Sequence, residues 1–340
     1  MALTPITDTR ELTRVSAFMT DKLLGGVMER AYDEPGTLSW FQRNAKRTWA
    51  GGDQISKTVQ LEKSPAGGSL GAFGTMDFTV PNAETRALVT PQVYAVGCVL
   101  SIPELQRTAA NDLASASYYK HRVDDCGKKL RDLVNGSRGI HGDGTTAATD
   151  FVGLKGLFAS DQTTGTWMGV SRANTNWRAK VTDNAQTTAN ILANLRTVAT
   201  NVEDGSDMGE VWFTNRAGRD IYETKLTATL ETDPLVIGSR GRGAVADGGV
   251  GHIAYRGKAM IVDVNLGLVA SGSSSQWYCL NPKGGEYMAL YAHPQADFSW
   301  SGPVQESEDQ LLLKRKLVFH GALVCWNPNR QGTVEDGAAS

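Results

Sequence analysis

The sequence has few cysteines, and none at the spacings that make cysteines ligands. Cys98, Cys126, Cys279 and Cys325 are scattered over 340 residues, with no CxxC and no Cys/His pair at metal-ligand spacing. Such cysteines are expected to be reduced, mostly buried, small apolar residues of a cytosolic product. No run of 18 or more apolar residues is present to cross a membrane as a helix. Met1 to Thr7 show no basic region followed by an apolar one, which argues against a signal peptide. An excess of charge is missing too. A net charge of −2 argues against a surface built for general nucleic-acid or membrane binding. The 41% hydrophobic and 21% charged fractions are those of an ordinary soluble globular protein, and the length allows two or three subdomains.

Catalytic signatures are also lacking. There is no GxSxG elbow, and none of His121, His141, His252, His293 and His320 has a second His at ligand spacing. Gly142-Asp143-Gly144-Thr145-Thr146 lacks the Lys and the spacing of a phosphate-binding loop and reads as a turn. Gly241-Arg242-Gly243-Ala244-Val245-Ala246 fits GxGxxA, with Asp263 twenty residues after Gly243. A dinucleotide site needs that turn to open a helix. Gly248, Gly249 and Gly251 follow instead, each opposing a helix by roughly 1 kcal/mol relative to Ala, so a surface loop is favoured over a nucleotide-binding enzyme. Asp124-Asp125 and Glu306/Glu308/Asp309 read as solvated faces or subunit salt bridges. His320, inside an apolar strand, reads as a hydrogen-bonded core or interface residue. Lys128, Lys129, Arg131 and Arg138 could meet phosphate or an acidic neighbour, but no aromatics are interleaved with them. No catalytic, cofactor-binding or metal-binding residue is assigned, and no cofactor is expected.

The strongest positive signal is the run Ile102–Asn135. Ser101 and Glu104 fit a capping box with Pro103 in the first turn. Leu105, Ala109, Leu113, Ala116, Tyr119, Val123, Cys126, Leu130 and Leu133 then recur at helical spacing, and Gly136 is placed to take a left-handed conformation after the last turn. Such a helix would be on the order of 50 Å long. A coiled coil needs more heptads, and a bundle needs partner helices of similar length. A spine lying along a sheet is favoured.

Around it the pattern is mixed, and the class is α+β. Residues 8–31 suggest a helix or two short pieces interrupted at Gly25-Gly26. Leu38-Ser39-Trp40-Phe41 and the basic residues Arg43, Lys46 and Arg47 follow, an arm with little core of its own. Ile55, Lys57, Val59 and Leu61 alternate with polar residues, as do Met76, Phe78 and Val80 in Phe73–Val80, with a glycine-rich tip between them. That reads as a long polar hairpin, marginal alone and needing a partner surface. Residues 92–100 form a strand entering the spine. Later come a polar loop from Ser160 to Arg178, a helix over 185–203, the strand Val211–Thr214, and a helix capped by Asn215 and running to Leu226. Strands follow at Ile253–Tyr255, Met260–Val264, Gln276–Leu280, Tyr287–Ala292 and Leu311–Trp326, and then a polar tail.

This layout resembles tailed-phage major capsid proteins. The local residues that carry the resemblance are Gly142–Thr145, Gly153-Leu154-Lys155-Gly156-Leu157, Thr164-Gly165-Thr166, Gly169-Val170-Ser171-Arg172, Trp177-Arg178, and Tyr255-Arg256-Gly257-Lys258 leading to Asp263. The resemblance implies a Hong Kong 97-type fold. Residues 1–50 would be the N-terminal arm and 51–91 the E-loop hairpin lying over a neighbour. Residues 92–144 would be the P-domain with spine helix 102–135, and 145–275 the A-domain. Return strands of both domains would fill 276–330, and 331–340 would be a polar tail. It implies assembly with itself into pentamers and hexamers, closing an icosahedral shell around packaged double-stranded DNA without sequence-specific contacts. A nanocompartment shell of the same fold is the alternative. The product would be a virion capsid assembled in the bacterial host cytoplasm, with a portal and no membrane. Too few residues precede the hairpin for a long scaffolding segment, so a separate scaffolding protein is expected. Some members cross-link a hairpin Lys to a neighbour's Asn. Lys57, Lys63, Asn327 and Asn329 are placed for this, but no catalytic acid is assignable and no cross-link is expected.

Overall fold

The computed structural model describes residues 36–61, 84–101, 112–145, 147, 149–159, 161–183, 189–205, 208–232, 253–268, 276–306 and 312–335. The expected helix at 8–31, Phe73–Val80 with the hairpin tip, residues 102–111 of the spine, Glu308 and Asp309, and the GxGxxA segment lie outside them.

Helix α1 (Thr37–Asn44) and strand β1 (Lys46–Thr48) come first. They depart from the expected arm with little core of its own. Leu38 and Phe41, three residues apart and so on one face, are 1% and 0% exposed, and Phe41 stacks on Phe213 with ring centroids 6.4 Å apart. β1 pairs in parallel with Leu290–Ala292, and Lys46 makes an ion pair with Asp297. These residues belong to the subunit's own core.

Strands β2 (Ile55–Gln60) and β3 (Glu84–Val89) form an antiparallel ribbon, with Ile55 opposite Val89 and Gln60 opposite Glu84. The partner strand next to the body is therefore Glu84–Val89, a segment with no strand alternation of its own, rather than Phe73–Val80. The base of the ribbon is also seated rather than unsupported. Ile55, Val59 and Ala87 are buried, Leu88 N donates to Met168 O at 2.9 Å, and Asn176 Nδ2 donates to Leu61 O at 2.7 Å.

Strand β4 (Gln92–Ser101) alternates strictly: Tyr94, Val96, Cys98 and Leu100 point inward, and Val93, Ala95, Gly97 and Val99 outward. The inward row receives helix α2 (Asp112–Asn135), about 36 Å long at 1.5 Å per residue, which buries Val123, Leu130 and Val134 in the same core. The spine along a sheet is what forms. The glycine after it serves a different purpose from the one expected. Gly136 does not have a positive φ; a Cβ there would stand 2.6 Å from Asp132 O, and one on Gly139 would stand 1.9 Å from Val134 O. Close approach of backbone to backbone is what excludes a side chain at both positions.

The expected polar loop 160–178 contains more structure than its composition suggests. A single helical turn α3 (Leu154–Leu157) precedes two short strands, β5 (Thr166–Trp167) and β6 (Val170–Ser171). Met168 and Gly169, at φ 53° and 77°, make the two-residue hairpin turn that matches strand twist. Trp167 and Trp177 are buried under it, and Trp177 Nε1 donates to Trp167 O at 3.0 Å.

Next come β7 (Lys180–Asp183), α4 (Ile191–Val202), β8 (Val211–Thr214), α5 (Arg216–Thr232), β9 (Ile253–Tyr255), β10 (Lys258–Val262) and β11 (Gln276–Leu280). α4 lies within the expected 185–203, of which 185–188 fall outside the described residues. α5 passes Leu226, and Asn215 Oδ1 accepts from Gly218 N at 2.8 Å, the expected cap. β12 (Met288–Ala292), β13 (Ser299–Glu306), β14 (Leu312–Cys325) and β15 (Gly332–Glu335) complete the chain. β13 has no strand signature in the sequence because Gly302 and Pro303 break its pattern. It is an edge strand with an irregular register between Ser301 and Gln305, where both residues are tolerated.

Two sheets result. In the first, the long β14 has β4 along one side and β12 and then β13 along the other, and β1 extends the sheet beyond β12. The second has the order β7-β15-β11-β8-β10-β9. β15 corrects the expected polar tail at 331–340. It pairs in parallel with β7 and antiparallel with β11, and Val334 is fully buried. A Cβ on Gly332 would stand 2.6 Å from Val198, so this glycine lets α4 lie close on the sheet. Trp212, Trp277, Cys279 and Val334 face α4. Val211, Phe213, Tyr278 and Leu280 face the main core that includes Phe41 and the spine.

Candidate functional site: the arm–spine junction and the open sheet face

The junction is built on Asp263, just past β10. Its carboxylate is 2% exposed and gathers donors from distant parts of the chain. Thr37 N donates to Oδ2 at 2.7 Å, Asn135 Nδ2 at 3.1 Å, and His141 Nε2 lies 3.3 Å from the same oxygen; Asn265 N donates to Oδ1 at 2.9 Å. Asn135 also accepts from Leu38 N at 3.0 Å. The first two amides of α1, which no turn of its own helix can satisfy, are therefore bonded by side chains from the end of the spine and from the second sheet. A carboxylate at a helix N-terminus also meets the positive end of the helix dipole. Burial by itself would raise the Asp263 pKa. The hydrogen bonds from His141, Thr37 and Asn135 outweigh it and hold the carboxyl well below the usual carboxylate range.

This junction leaves little trace in the local sequence pattern. In the sequence Asp263 is marked only as the acid after the GxGxxA segment and as the end of the Tyr255–Lys258 turn. That turn forms as a hairpin, with Arg256 and Gly257 at φ 50° and 75°. Nothing local marks Asn135 and His141 as its partners, because contacts spanning 97 to 226 residues leave no local spacing signal.

A cleft of about 630 Å³ lies between the ribbon base and the body, lined by residues that include Lys57, Asn176, Glu286, Tyr287, Asn327 and Asn329. Lys57 Nζ stands 5.8 Å from the centre of the Trp326 ring. Three of the residues weighed for cross-linking thus line one cleft of a single subunit, and Lys63 is outside the described residues. His320 stacks on His293 at 5.9 Å and meets Trp49 edge-on at 4.9 Å, and its backbone N donates to Ala296 O. Burial, with His293 beside it, lowers its pKa. The basic group is not assembled into one patch. Arg138 pairs with Asp150 at 3.2 Å and Arg131 with Asp132 at 3.4 Å, while Lys128 and Lys129 are exposed. Asp125 stands 3.9 Å from His121 on the exposed side of the spine.

The outward row of β4 is apolar and open. Val93 and Val99 are 55% and 43% exposed, Ala95 and Gly97 lie between them, and Lys314 and Lys316 stand opposite Val99 and Gly97 on β14. Nothing among the described residues covers this row.

No protein-family model matches the chain, and no curated protein sequence does. Solved structures do match. The capsid of cyanophage A-1(L) aligns with a TM-score of 0.56 at 16% identity, over 89% of this chain and 93% of that one. The capsid of Myoviridae phage XM1 aligns at 0.52 and 11% identity, over 87% and 91%. The SrpI encapsulin of Synechococcus elongatus aligns at 0.50 and 12% identity, over 98% and 96%. With a spine helix on one sheet, a second sheet and a two-stranded ribbon, the chain has the Hong Kong 97-type fold of tailed-phage major capsid proteins.

Proposed function

We propose that this chain is a shell subunit: a major capsid protein that assembles into pentamers and hexamers and closes an icosahedral shell around packaged phage DNA. The observation that carries this reading is the fold likeness to capsid proteins along almost the whole of both chains. The local physics agrees with it. The ribbon is anchored at its base on the body, and the row Val93–Val99 offers apolar surface to a neighbour. In this reading the protein acts by binding copies of itself and has no catalytic role. A separate scaffolding protein and a portal would be its partners during assembly in the host cytoplasm.

Expression of the full chain, alone and with its scaffold, tests the proposal by sedimentation and electron microscopy. Capsomers or closed shells are expected, and a strictly monomeric species at high concentration would overturn it. Deleting the hairpin tip, Ser64–Gly74, should leave a folded subunit that fails to close shells. Loss of folding would instead make the tip part of the core. The second reading, a nanocompartment shell, is favoured by the encapsulin likeness alone. Enclosed enzyme in place of DNA would identify it.

A further inference from the structure

Four thiols are free, and two of them meet. Cys98 lies on the inward row of β4, and Cys126 on the face of α2 packed against it. Cys98 Sγ is 3.8 Å from Arg122 O, one helical turn before Cys126, and Cys126 Sγ is 3.9 Å from Gly97 O, the residue before Cys98. Each sulfur thus reaches the backbone beside the other. We propose that Cys98 and Cys126 are an oxidative modification site, forming a reversible disulfide that staples the spine helix to its sheet.

The two thiols differ in a way that sets an order of events. Cys98 is buried and Cys126 partly exposed. The hydrogen bond between them raises the pKa of Cys98 and lowers that of Cys126, so Cys126 is the more acidic of the two and the one that ionises and reacts first. Cys126 attacks one sulfur of a low-molecular-weight disulfide. Its S–S bond breaks, a mixed disulfide forms on Cys126, and the expelled thiolate takes up a proton. Cys98 then loses its proton to solvent and attacks the Cys126 sulfur. The Sγ–Sγ bond forms and the second small thiol leaves. Two electrons pass from the protein to the small disulfide. The other cysteines do not compete. Cys279 and Cys325 are buried apart from this pair, and burial pushes the Cys279 thiol up to about 12 and Cys325 higher still. The chemistry stands independently of the shell reading. Only its biological use rests on that reading, since a particle assembled in a reducing cytosol and released into an oxidising medium would tighten after assembly.

The test uses the full chain, native, with oxidised glutathione. Two of the four thiols should disappear, and peptide mapping should show one Cys98–Cys126 link within a chain. The unfolding midpoint should rise by about 4 °C and return on reduction. Cys98→Ser should stop at one glutathione held on Cys126, and Cys126→Ser should not react while folded. Wild-type protein that keeps all four thiols, stops at the mixed disulfide, links other cysteines or shows no rise in midpoint would overturn the proposal.

Discussion

Replacing Asp263 with alanine tests whether the junction holds the first helix to the body. The change strands four donors: Thr37 N, Asn135 Nδ2, His141 Nε2 and Asn265 N. Each orphaned buried donor costs about 1–3 kcal/mol. Asn265 N is only partly buried and can turn to water, so the cost falls mainly on the other three. Partial relaxation brings the total toward the about 3–5 kcal/mol typical of breaking a buried charged pair. Against a total stability of about 5–15 kcal/mol, that is a large fraction. Urea unfolding of unassembled subunits, followed by tryptophan fluorescence, measures it through the midpoint. Limited proteolysis should also cut ahead of Thr37 sooner in the variant. A loss below about 1 kcal/mol, with cutting unchanged, would refute the reasoning. The pH dependence follows from the same contacts. Asp263 in the folded protein binds its proton more weakly than in the unfolded chain, where the pKa is about 3.9. Its contribution is therefore complete above about pH 4 and is lost as the pH falls from there toward the folded pKa. Asp263→Asn should flatten that acid limb.

Leu130→Asp places a charge on the buried face of the spine and should abolish soluble folding; normal expression and assembly would show that another face packs. His320 titrates below its unfolded value, so its contribution to stability is present above about pH 6.5 and lost as the pH falls through the lower folded pKa. His293→Ala should move the His320 titration, followed by NMR, upward toward 6.5, and an unchanged titration would remove His293 as a cause.

The elements that could be read from the sequence are those whose signal is local. The strict alternation of Gln92–Ser101 and the helical stripe through Val123 and Leu130 appear where expected, because period two and period 3.6 each put one face on a core. The Asn215 cap and the Gly257 turn are equally local. β15 was not legible. Gly-Thr-Val-Glu is too short and polar to read as a strand, and it becomes one because β7 and β11 bond its two edges and α4 covers Gly332. Phe41 reads as part of an arm with little core of its own because nothing near it in the chain can bury it; its partner Phe213 is far along the sequence.

The sequence by itself determined that a long one-faced helix follows a half-buried strand, that a strand from Ile55 precedes them, and that the layout resembles a capsid one. Only the tertiary structure decided that the start of the described arm belongs to the core, that Asp263 ties it to the spine, and that Cys98 faces Cys126. Those outcomes depend on which distant groups share one low-dielectric interior, where a lone donor or charge is costly, and no local pattern of residues encodes that pairing.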